Sequence, residues 1–100
     1  MKYCIKKLTL KERYTIQSGA VVTLEVNELV EIPIIKGLNM MSYGQFFLRK
    51  KFCKDGVIQV CFTPFPQGFN DKPLIVIKND TANDLELLKD WEIGEVWIWS

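Results

Sequence analysis

The chain has 100 residues, 48% of them apolar and 12% aromatic, with a formal net charge of +1. That length suits one domain spanning residues 1–100, the apolar content excludes a disordered chain, and the balanced charge gives no global argument for nucleic acid or an anionic membrane as partner. Histidine is absent, which removes the commonest general base, the usual zinc ligand and every Ser-His or Cys-His nucleophile pair, and no apolar run of about 18 residues is present to span a membrane.

Short apolar runs alternate with turn residues along the chain. Tyr3 to Leu10 reads as a strand; Tyr14 and Ile16 precede a Ser18-Gly19 turn; Ala20 to Val26 is β-branched and stops at Asn27-Glu28. Leu29 to Ile35 contains Pro33, which places it at a sheet edge or a bulge. A Met-rich loop follows, then a strand-like Gln45 to Phe52, a hairpin-type turn at Asp55-Gly56 and a strand over Val57 to Phe62. Thr63 to Pro73 holds three of the four prolines and reads as a loop. Leu74 to Lys78 is a short apolar strand, and Asn79 to Asp84 is a turn cluster. Asn83 to Asp90 shows no sustained helical stripe, so a strand is expected there. The last run is two-faced: Val96 and Ile98 point one way, Trp97 and Trp99 the other. One face suits the chain's own core, and the other calls for a second cover. Strands at this spacing indicate an all-β sandwich or barrel.

Charge is unevenly spread. Residues 1–54 hold ten Lys/Arg against four Asp/Glu, and residues 55–100 hold three against eight; solvated faces of a folded domain are the plainer reading, attraction between subunits the other. The Lys2, Lys6, Lys7, Lys11, Arg13 series lacks interleaved aromatics, so a solvated strand face is favoured over a nucleic-acid track. Met40, Met41, Tyr43, Phe46 and Phe47 suit an adaptable contact surface or core packing equally. Cys4, Cys53 and Cys61 are odd in number, show no Cys-x-x-Cys spacing and lie in apolar stretches, so buried free thiols in a reducing compartment are expected.

Four segments, in order, resemble the dUTPase and dCTP deaminase superfamily. They are YTIQSGAVVTLEVNELVEIP from Tyr14 to Pro33, GQFFLRKKFCKDGV from Gly44 to Val57, QGFNDKPLIVIKN from Gln67 to Asn79, and LELLKDWEIGEVWIW from Leu85 to Trp99. The resemblance implies a dUTPase-like, β-clip-type fold with little or no helix, assembled as a homotrimer. It also exposes departures at the positions that serve the family's chemistry. Where the family carries an Arg-Ser-Ser phosphate turn, this chain keeps Arg49 but has Lys50 and Lys51, which suit a solvated basic corner or a clamp of point charges on phosphate. Where the family places its catalytic carboxylate, the chain has Pro64, Phe65, Pro66 and Gln67. Asp71 reads as a turn residue, and Asp80 and Asp84 as solvated turn acids. The family's Gly-rich tail has no counterpart within these residues.

The expectation is therefore a non-catalytic homotrimer with a structural or binding role, in the setting of a phage virion accessory or capsid-decorating protein. Other virion or host proteins are its expected partners, with no membrane and no nucleic acid, and no catalytic, cofactor-binding or metal-ligating residue is assigned. Its location is then the virion, or otherwise the reducing cytoplasm. Arg49, Lys50 and Lys51 are the candidate phosphate or partner contacts; Phe65, Phe69, Trp97 and Trp99 are the candidate interface. Two alternatives stand beside this reading. One is a divergent deoxynucleotide-binding protein or dUTP/dCTP-type hydrolase. The other is an inhibitor or regulator of a host protein, acting through the Phe/Pro loop of residues 63–73, which either plugs the family's pocket or docks on a partner.

Overall fold

Short strands dominate the structure, as the alternation just described implies. The computed structural model describes residues 3–35, 42–60 and 64–99. The strands are β1 (Tyr3–Thr9), β2 (Tyr14–Ile16), β3 (Val21–Glu25), β4 (Val30–Glu31), β5 (Tyr43–Leu48), β6 (Val57–Gln59), β7 (Asn70–Asp71), β8 (Leu74–Asn79), β9 (Leu85–Leu87) and β10 (Glu92–Trp99), with α1 (Lys50–Lys54) between β5 and β6. They form two three-stranded antiparallel sheets, β1-β10-β5 and β3-β8-β6, and two short ribbons, β2-β9 and β4-β7. This is the all-β architecture the turn spacing implies, and Leu85–Leu87 is a strand as expected.

Because side chains alternate across a strand, each large sheet turns one face inward. Leu8, Phe46, Val96 and Ile98 from one sheet meet Leu24, Ile75, Ile77 and Val57 from the other in a single cluster of buried residues. Each such side chain contributes roughly 1.5–3 kcal/mol when fully buried. A bulge adjusts β10 to this cluster: Leu8 pairs with Gly94 but Thr9 pairs with Glu92, so Ile93 is skipped and turns inward as well. Gly94 is required where β10 crosses β5, since a Cβ there would lie 2.3 Å from the Phe47 carbonyl oxygen and 2.6 Å from the Phe46 ring.

One buried polar side chain ties the two ends of the fold's middle together. Asn79 is fully buried. Its Nδ2 donates to the Ile16 carbonyl at 3.0 Å and the Asn83 carbonyl at 2.8 Å. Its Oδ1 accepts from Thr81 N at 3.1 Å and Thr81 Oγ1 at 2.7 Å. The Asn79–Asp84 turn cluster is thus organised around an amide with all its partners inside the protein, and β2 and β8 are held in place by it. Tyr14 makes a comparable link at the edge, its hydroxyl accepting from Glu25 N at 2.8 Å.

The structure corrects three expectations. The strand expected over Gln45 to Phe52 stops at Leu48, and Lys50–Lys54 closes a helical turn. Arg49 O accepts from Phe52 N at 3.0 Å, and the turn delivers Phe52 into the core, where further extension would have carried the chain past the sheet's end. Gly56, at φ +94°, then supplies the left-handed step that leads into β6. Second, Cys4 and Cys53 are exposed, not buried. Cys4 lies on the core-facing side of β1, but β1 is an outer strand and nothing covers it there. Third, the stretch expected as a loop over Thr63 to Pro73 contains strand β7, Asn70–Asp71, whose residues pair with Glu31 and Val30 of β4; Phe46 and Phe47, for which contact surface and core packing both stood open, divide between core and exposed face. The Met-rich loop with Met40 and Met41, and Cys61, lie outside the described residues.

Two outcomes test this account. Asn79→Ala strands the Ile16 and Asn83 carbonyls and is expected to cost on the order of 3 kcal/mol by urea denaturation, and Asn79→Asp fails to rescue because a carboxylate cannot donate to them. Burial raises the Tyr14 pKa above its usual 10.0, with the Glu12 and Glu25 carboxylates adding to it and the bond from Glu25 N opposing it. The folded state therefore holds the phenolic proton more tightly than the unfolded chain. Its contribution is intact below the unfolded value and is lost as pH rises through the folded one, so the urea midpoint of the native protein is expected to fall more steeply across this alkaline range than that of Tyr14→Phe.

Candidate functional site

The face of β1-β10-β5 that points away from the core is aromatic. Antiparallel register sets Tyr3, Trp99 and Tyr43 side by side across the three strands, then Ile5, Trp97 and Gln45, then Lys7, Glu95 and Phe47. Tyr3 stacks on Trp97 with centroids 5.3 Å apart and an interplanar angle of 7°. Tyr43 stacks on Trp99 at 4.9 Å, Phe47 meets Trp97 edge-on at 5.9 Å, and the two tryptophans lie 6.0 Å apart. Such pairs contribute about 0.5–1.5 kcal/mol each beyond their burial. The Trp97 indole N–H donates to Glu95 Oε1 at 2.9 Å, which satisfies the ring's one polar atom. Despite this mutual cover, Tyr3 remains 61% exposed and Phe47 46%.

At one end of the aromatic face lies a groove of about 560 Å³, lined by Phe47, Arg49, Lys50, Glu92, Trp97 and Trp99 among others. Arg49 is positioned by its own backbone, whose N–H donates to the Ile93 carbonyl at 2.9 Å. The ion pairs among the described residues join Lys11 to Glu25, Arg13 to Glu86 and Lys78 to Asp80, so Arg49 and Lys50 are in none of them. Lys51 departs from its two neighbours: it does not line the groove, and its ammonium sits 5.4 Å over the Trp91 ring in a cation–π contact. The groove can therefore offer an aromatic wall, two cations and two carboxylates to one ligand surface.

The other sequence-selected residues lie elsewhere. Phe65 and Phe69 touch at 4.9 Å and pack against the core. Phe65 exchanges backbone hydrogen bonds with Gly44, at 3.0 and 2.7 Å, and a Cβ on Gly44 would come within 2.7 Å of Ile32. Gly44 pairs with Ile98, on the core side of the sheet, so this pair and the tryptophans occupy opposite faces. Gln67 serves the loop, its Oε1 accepting from Ile35 N at 3.0 Å. Asp71 accepts from Lys72 N at 2.7 Å, and Asp84 from Ser18 N at 3.2 Å. Among the described residues no three His, Cys, Asp or Glu side chains converge as metal ligands. No helix among them is long and apolar enough to cross a membrane. The structure thus joins Arg49 and Lys50 to Trp97 and Trp99, and adds Tyr3, Glu92 and Glu95, which sequence reading did not single out. The alternation Tyr3, Ile5, Lys7 carried a signal, but only strand register reveals which aromatics it meets.

No protein-family model matches the chain, and no curated protein does. Solved structures do match. A mutant dUTPase of Staphylococcus bacteriophage 80alpha, with dUpNHpp, superposes with a TM-score of 0.77 at 11% identity, covering 99% of this chain and 87% of its own. The native dUTPase of EIAV gives 0.76 at 9% identity, over 99% and 88%. A mutant dUTPase from phage phi11 of S. aureus, described for its coordination of a structural Mg(II) ion, gives 0.76 at 9%, over 100% and 93%. The likeness spans the entire chain at very low identity, and the fold of this protein is dUTPase-like.

Proposed function

We propose that this chain is a non-catalytic binding protein: a dUTPase-like scaffold, assembled as a homotrimer, that presents the Arg49–Lys50–Trp97–Trp99 groove to another protein. The observation that carries this reading is the pairing of a dUTPase-like fold over this chain with Pro64, Phe65, Pro66 and Gln67 where the family places its carboxylate. None of these side chains takes a proton from water. The groove's composition agrees. A wall of aromatic residues with an arginine beside it is typical of the energetic centre of protein–protein contacts. The phage origin of several similar structures supports a phage setting, as a virion accessory or decorating part.

A nucleotide-binding or hydrolytic reading rests on one specific feature, the two cations of the groove, with Lys51 turned away. Titration calorimetry against dUTP and dUpNHpp separates the two. No heat and no pyrophosphate release are expected, and saturable heat lost in Arg49→Ala would favour the rival. Because both side chains are exposed and outside the ion pairs, Arg49→Ala with Lys50→Ala is expected to leave stability within about 0.5 kcal/mol, so any loss of partner binding reports on the groove itself. Native mass spectrometry is expected to show multiples of three chains; a monomer at micromolar concentration would remove the trimer.

A further inference from the structure

Strand β1 is exposed in three directions at once. It is the outer strand of its sheet, and its residues from Tyr3 to Lys7 are exposed on both faces. Its far end is engaged: Thr9 N donates to Glu28 Oε1 at 2.6 Å, and Thr9 O accepts from Asn27 N at 3.0 Å. Both Thr9 backbone groups thus point away from β10. The neighbouring Leu10 is the opposite, donating to Trp91 O and accepting from Asp90 N. Backbone direction alternates along a strand, so the N–H and C=O of Lys7, Ile5 and Tyr3 also point outward. Among the described residues nothing pairs with them. A row of unmade backbone hydrogen bonds bordering an aromatic face is a template for another strand.

We propose that this edge pairs antiparallel with the same edge of a second copy, centred on Ile5, so that two three-stranded sheets become one continuous sheet. The register is selected by charge. Centring on Ile5 sets Tyr3 opposite the copy's Lys7, Cys4 opposite its Lys6, and Ile5 opposite Ile5, with no like charges facing. A shift of the crossing point to Lys6 or Lys7 sets lysine against lysine, which is unfavourable, and a shift to Cys4 pairs only Tyr3 to Ile5 of the described residues. Odd shifts exchange the two faces and bury Lys6 among the aromatics. In the Ile5 register the Tyr3 ring gains a cation beside it, and the Trp97–Ile5 row runs on into its copy. The edge lysines then act as a filter, admitting the self-complementary strand while repelling other registers. The contact is two-fold, and so is distinct from the three-fold assembly proposed above.

Ile5→Pro tests this directly. It removes only an outward-facing N–H, so the β1-β10 ladder is left in place. The mass by light scattering over a micromolar-to-millimolar series is expected to halve relative to the native chain, from six chains to three, or from two to one if the trimer reading fails. Ile5→Lys, which retains the N–H but sets lysine against lysine, is expected to do the same, and covers the case in which proline disturbs the strand. In a background with Cys4, Cys53 and Cys61 replaced by serine, Ile5→Cys is expected to give a cross-linked pair of chains with a short bismaleimide. A native protein with no even-numbered species, or an unchanged mass in both Ile5 variants, overturns the pairing.

Discussion

Everything distinctive about this molecule follows from the pleat of β10. A strand that hydrogen-bonds on both edges has only its two faces left, and they are assigned alternately. Val96 and Ile98 must enter the core, so Trp97 and Trp99 must leave it. The close approach of Gly94 to β5 sets the depth at which this happens, and the bulge beside it lets Ile93 join the core without turning a tryptophan inward. Folding therefore creates the aromatic face as a consequence of burying the aliphatic one. The stacking of Tyr3 and Tyr43 on the tryptophans reduces the exposed apolar area but does not remove it.

That residual exposure connects fold to function. Surfaces of this kind are tolerated in a cell when something covers them. Two features border the face in different places: the groove bounded by Arg49 and Lys50 at one end, and the unpaired edge of β1 at its side. The first suits a partner with its own charged and apolar groups, the second a strand. The two lie apart, so pairing along the edge of β1 leaves the groove open.

Much of the architecture was legible in the sequence because strand and turn signals are local. Turn residues such as Ser18-Gly19 and the Asn79–Asp84 cluster mark real chain reversals, and Leu85–Leu87 is a strand as its lack of a helical stripe implies. The helical turn after Leu48 was not legible. Its residues have no helical pattern of their own, and only the need to bring Phe52 back to the core selects it. Asn79 was likewise unremarkable in the chain; its importance lies in partners four residues ahead and sixty-three residues behind.

By itself the sequence determined the fold class, the place of most strands along the chain, the two-faced character of the last one, and the resemblance that the similar structures bear out, since each depends on alternation and spacing along the chain. Only the tertiary structure decided which aromatics share a face, that Lys51 leaves the basic corner while Arg49 and Lys50 border the tryptophans, that Phe65 and Phe69 belong to the opposite side, and that Cys4 is exposed. The sharing of faces depends on register between strands far apart in the chain, where a one-residue slip reverses a face, while Lys51 follows the helical turn after β5 and Cys4 the outer position of β1.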